Sequence, residues 1–273
     1  MTIAAAYLTS EGVVLGADSI STITVGSGIV QLFNHSQKVF EVTDGISNKK
    51  HLAIATYGMG MLGTLSHRTL ARKLFEHIKE KGIEKKQCKE KFVDIIEEQI
   101  KDLNPSTVNV GYFLGGIEDK SLLPFCFRIS YSPKKEDYEL QIGEARFAGQ
   151  FQYFQRLYYG FDPVFVETLK NILRKQNLNF TDESFVQAVN ATVQQVQTQS
   201  YKDLPIREAI DFIHAYLYAT VKMYKFKIGA PICGGPIEIG FITTDKPFRW
   251  VSHKNFKSAI FEQEPEYYGH EYE

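Results

Sequence analysis

Thr2-Ile3-Ala4-Ala5-Ala6-Tyr7-Leu8 and Gly12-Val13-Val14-Leu15-Gly16-Ala17-Asp18-Ser19 are two short apolar runs joined by the turn Thr9-Ser10-Glu11-Gly12. They read as a β-hairpin at the start of the chain, the second strand ending on a carboxylate. An initiator methionine ahead of a small residue is normally removed, so Met1 is expected to leave Thr2 as the first residue. Thr2 would then carry a hydroxyl nucleophile and a free α-amine on one residue. An amine with a pKa near ~8 can act as the general base for its own hydroxyl at neutral pH.

Outward from the hairpin, short strands continue. Residues 24–32 are mixed in character, Lys38-Val39-Phe40-Glu41-Val42-Thr43 alternates with period two, and His51 to Thr56 follows the polar turn 44–50. The period then changes. Leu70, Leu74 and Ile78, and again Phe92, Ile96 and Ile100, recur every four residues and predict amphipathic helices over 64–81 and 86–103. Gly82 suits the end of the first, and Asn104-Pro105 stops the second. Strands are predicted at 107–116, 123–131 and 137–142, with a turn at 132–135.

A second helical block starts at Asp162-Pro163, a capped start with proline at the first helical position. Its apolar stripes are Phe165, Leu169, Ile172 and Leu173; Val186, Val189, Val193 and Val196; and Ile206, Ile210, Ile213, Leu217 and Val221. The aromatic group Phe151, Tyr153, Phe154, Tyr158 and Tyr159 reads as a helix packing on a sheet or a neighbouring subunit. Strands at 237–243 and 248–252 close the chain before a peripheral tail over 253–273. Hairpin-linked strands grouped apart from helices indicate an α+β fold of antiparallel sheets with helices outside.

The 273 residues are 44% hydrophobic. With no internal repeat, low-complexity run or linker, one domain over 1–273 is expected. A net charge of −1 points away from nucleic acid and anionic membranes as partners. No apolar stretch approaches the ~20 residues of a membrane span, and no signal-peptide pattern opens the chain. Cys88, Cys126 and Cys233 are far apart and read as free thiols, so a cytoplasmic location is expected. His35, His67 and His214 have no metal-ligand spacing, and neither a metal nor a cofactor is expected.

Four stretches together resemble the proteasome β-subunit family of N-terminal nucleophile hydrolases, including its bacterial self-assembling members. They are Thr2 to Ala6, Gly12 to Ser19 with Thr22 following, Lys38 to Val42, and Cys233-Gly234-Gly235-Pro236-Ile237-Glu238-Ile239 leading into Ile242 to Asp245. The resemblance spans Thr2 to about Val251. It implies a four-layer α-β-β-α sandwich and a threonine-type peptidase that cleaves peptides or unfolded chains as a homo-oligomer, any ATPase partner being unknown.

It also implies roles. Thr2 attacks the scissile carbonyl; Lys38 beneath it lowers the cost of the alkoxide; Asp18 keeps that lysine charged and in place. Gly60, with Gly58 next, supplies the oxyanion N–H, and the Thr22 backbone pairs with an extended substrate. Family positions near the nucleophile amine that hold Ser, Asp and Ser correspond here to Cys233, Ala230 and Gln150, and an Arg is replaced by Ile20. Those departures leave two alternatives: a catalytically impaired ring- or filament-forming scaffold, or a non-peptide amide hydrolase.

Overall fold

The computed structural model describes residues 2–25, 28–43, 49–132, 134–196, 204–228 and 232–254. The tail beyond residue 254 and the position of Ala230 lie outside the described residues. The chain begins with strands β1 (Ile3–Leu8) and β2 (Gly12–Ala17), followed by a ribbon of β3 (Ser21–Val25) and β4 (Gly28–Phe33). Next come β5 (Val39–Thr43), β6 (Lys49–Gly58), and helices α1 (His67–Ile78) and α2 (Lys85–Ile100). Strands β7 (Val110–Ile117), β8 (Pro124–Tyr131), β9 (Lys135–Glu139) and β10 (Glu144–Gly149) lead into α3 (Gln152–Tyr159), α4 (Pro163–Lys175), α5 (Asp182–Val196) and α6 (Ile206–Phe226). Strands β11 (Glu238–Thr243) and β12 (Lys246–Ser252) complete the described chain.

The strands form two antiparallel five-stranded sheets, β10-β1-β2-β11-β12 and β5-β6-β7-β8-β9, plus the β3-β4 ribbon. With six α-helices among the described residues, the fold is α+β. Strand β1 shows why the opening run is apolar throughout. Ala4, Ala6 and Leu8 pack against residues of the second sheet such as Ala53 and Phe113. Ile3, Ala5 and Tyr7 pack against Ile213 and Leu217 of α6. Both faces are covered, so no position can be polar and period-two alternation is lost. On the far side of the second sheet, Leu70 and Leu74 of α1 and Phe92 and Ile96 of α2 meet Ile54, Tyr112 and Leu114. The aromatic group around Phe154 packs with Phe147 and with Tyr216 of α6.

Three differences from the sequence reading bear on the site. Of residues 24–32, Thr24 and Val25 belong to β3 and residues 28–32 to β4, in a ribbon whose pairing is bulged between Ile23 and Thr24; a bulge breaks the alternation that would mark a strand. The strand expected at 137–142 is β9, which lies earlier at Lys135–Glu139 and begins within the expected turn, and a further strand, β10 (Glu144–Gly149), has no counterpart in the sequence reading. β10 (Glu-Ala-Arg-Phe-Ala-Gly) has no β-branched residue, and pairing along β1 from Ile3↔Gly149 to Leu8↔Glu144 makes it a strand. Finally, the stripes of α4 and α5 are largely not in the core: Phe165, Ile172, Val186 and Val196 are exposed. The Asp162 cap stands as expected, accepting the Phe165 N–H at 2.9 Å.

No helix among the described residues is long and apolar enough to cross a membrane.

Candidate active site

Thr2 enters β1 with its backbone clamped by the end of β10. Its carbonyl accepts the Gln150 N–H at 2.7 Å. Gly149 lies so close that a Cβ there would sit 2.0 Å from the Thr2 carbonyl oxygen, and its φ is +83°; only glycine satisfies both conditions. Thr2 is nearly buried, yet it lines a cleft of about 400 Å³ together with Ser21, Thr22, Ile23, Gly58 and Gly60.

Asp18 is fully buried where β2 ends. Its Oδ1 accepts the N–H of Ile3, the residue after Thr2, at 3.2 Å. The same oxygen accepts the Lys38 ammonium at 2.6 Å, and Oδ2 accepts the Gly234 N–H at 2.9 Å. The Lys38 ammonium also donates to the Ile20 carbonyl at 2.5 Å. Antiparallel pairing of β1 with β2 explains the placement: Ala4 faces Ala17, so the next step sets Ile3 beside Asp18. Breaking one half of such a buried pair typically costs about 3–5 kcal/mol, because the other charge stays behind without its partner.

A second ionic cluster adjoins the first, and the sequence reading did not assign it. Glu238 is fully buried on β11. One carboxylate oxygen accepts the Lys38 backbone N–H at 3.2 Å. The other lies 3.0 Å from His253 Nδ1 and 3.4 Å from the Lys254 ammonium. Lys254 also donates to the His35 carbonyl at 3.0 Å. Burial lowers the Lys254 pKa, and the Glu238 charge opposes that shift. The signal in the sequence was a lone acid between Ile237 and Ile239 in an otherwise apolar strand.

The glycine turn forms one wall of the cleft. Thr56 donates its N–H to the Lys38 carbonyl at 2.8 Å, whereas Met59 donates to Asn109 on the opposite flank at 2.9 Å. Strand alternation therefore turns the Gly58 N–H to the Lys38 side, and both Gly58 and Gly60 border the cleft.

Cys233 is buried, and burial, followed by the Asp18 charge, drives its thiol pKa far up. It stays protonated and packs with Ile239 and Tyr224. The Gln150 side chain accepts the Tyr224 hydroxyl at 3.1 Å.

No protein-family model matches this chain, and no curated protein matches it.

Proposed function

We propose that the chain is a threonine-type N-terminal nucleophile hydrolase that cleaves peptide bonds, with Thr2 exposed by removal of Met1. The observation that carries this reading is the joint placement of Thr2, Asp18 and Lys38. Asp18 binds both the Lys38 ammonium and the backbone N–H next to Thr2, while Thr2 borders a cleft walled by Gly58 and Gly60. Two five-stranded antiparallel sheets with α1 and α2 outside one and α6 outside the other support the four-layer α-β-β-α sandwich of that superfamily.

In this mechanism the Thr2 Oγ attacks the substrate carbonyl carbon. Its proton passes to the Thr2 amine, directly or through a water. The Lys38 charge stabilises the developing negative charge, and backbone N–H groups of the glycine turn take the carbonyl oxygen. The C–N bond then breaks, the proton goes to the departing amine, and an ester remains on Thr2. Water attacks the ester, Oγ recovers its proton, and the carboxylic product leaves. Thr22 on β3 offers backbone groups to an extended peptide, adding a strand at the cleft wall.

A homo-oligomer in the cytoplasm is part of this proposal. The apolar side chains left exposed on α4 and α5 support association, because clustered exposed apolar side chains mark interaction sites. The impaired-scaffold reading draws on Cys233 and Gln150. A buried protonated thiol and an amide bonded to Tyr224 replace the hydroxyls the family places near the amine.

Intact mass with and without a β-lactone probe separates these readings. The hydrolase is expected to lack Met1 and to gain one probe mass on Thr2, and Thr2→Ala to gain none. An unlabelled mature protein overturns the hydrolase; labelling without cleavage of any peptide shifts the substrate to another amide.

A further inference from the structure

Beneath the glycine turn lies a buried imidazole that the mechanism above leaves unused. His67 opens α1 and is 5% exposed. Its Nε2 lies 2.8 Å from the Met59 carbonyl oxygen, and its Nδ1 lies 3.0 Å from the Tyr112 hydroxyl. A carbonyl only accepts, so Nε2 carries the hydrogen and Nδ1 accepts the Tyr112 O–H. Burial lowers the His67 pKa, which favours this neutral ring.

The Met59 carbonyl and the Gly60 N–H belong to one trans amide, so they point in opposite directions. A carbonyl drawn inward to His67 turns the Gly60 N–H outward. Met59 is held at its other end too, its N–H donating to Asn109 at 2.9 Å. Gly60 is exposed on the cleft wall shared with Thr2. Among the described residues no hydrogen bond takes its N–H. An aliphatic side chain would fill the space under the turn but would leave the Met59 carbonyl without the imidazole N–H.

We propose that His67 is a positioning residue for substrate activation: its Nε2–H grips the Met59 carbonyl and so aims the Gly60 N–H into the cleft. There the Gly60 N–H acts with that of Gly58 as a two-donor site for the substrate carbonyl oxygen. The inference rests on the hydrolase reading for its chemistry.

The test compares wild type, His67→Leu and His67→Gln by the rate constant and half-saturation of probe acylation on Thr2. His67→Leu is expected to slow acylation by about tenfold to a hundredfold, with half-saturation within about twofold, because a misaimed donor weakens the transition state more than binding. His67→Gln, whose amide can still donate to Met59, is expected to recover most of the rate. Equal rates in wild type and His67→Leu, or a Gln variant no faster than the Leu variant, overturn the role of His67 alone. A wild type that loses Met1 yet takes no probe overturns the hydrolase reading and this role with it. If His67→Leu does not fold, ring ¹⁵N NMR of the wild type decides. A neutral ring protonated on Nε2 at pH 7 supports the proposal, and protonation on Nδ1 overturns it.

Discussion

At the scale of single residues, the site depends on charges withdrawn from water. Lys38 and Asp18 are each no more than 5% exposed. Asp18→Ala leaves the ammonium buried with the Ile20 carbonyl in place of its ionic partner, and the expected loss of stability is about 3–5 kcal/mol, read by urea unfolding. Lys38→Ala is expected to abolish probe labelling of Thr2 while the oligomer persists; an unchanged labelling rate would remove Lys38 from the chemistry. His67 carries a pH signature. Its pKa is lowered from 6.5 in the fold, so below that value the unfolded chain binds more protons than the native one. Its contribution is whole above pH 6.5 and is lost as pH falls toward the folded value. The gap between the unfolding midpoints of wild type and His67→Gln is therefore expected to be constant above pH 6.5 and to shrink as pH falls below it.

At the scale of elements, β10 and the β3-β4 ribbon shape the cleft. Gly149→Ala forces a Cβ against the Thr2 carbonyl at a positive φ. The expected cost is at least about 1–3 kcal/mol of backbone strain, with slower labelling as Thr2 shifts; chemical denaturation and probe kinetics read both. The ribbon brings Ile23 and Phe33, each 49% exposed, to the cleft, and the glycine turn brings Met61 at 55%. The cleft lining carries no charged side chain among the described residues. Fluorogenic peptides with an apolar residue before the scissile bond are therefore expected to be cleaved faster than acidic ones. A preference for acidic residues would contradict that description of the wall.

At the scale of the whole molecule, the two sheets bury Ala4, Leu15, Ala55 and Phe113 between them, and helices cover their outer faces. α4 and α5 depart from this economy. Of their residues only Phe185 is buried, and Phe165 and Ile172 are 56% and 48% exposed. Light scattering is expected to give a solution mass well above the 31.1 kDa of one chain. Phe165→Glu combined with Ile172→Glu is expected to reduce it. A monomeric wild type would sink the homo-oligomer.

The linear sequence determined the periods. Four-residue spacing marked α1, α2 and α6, the Asp162-Pro163 pair marked the start of α4, and two apolar runs around a polar turn marked the first hairpin. It also supplied Thr2, Asp18 and Lys38 as candidates through a resemblance. What it left open were groups whose meaning comes from neighbours far along the chain. Glu238 lies 200 residues from the Lys38 N–H that it accepts, and Gly149 faces Thr2 only because β10 pairs with β1. His67 reads as an ordinary helix residue until Met59 and Tyr112 are folded against it. Periodicity is a local property set by the backbone. Buried polar partnerships are fixed only when tertiary packing excludes water and leaves each donor one acceptor within reach.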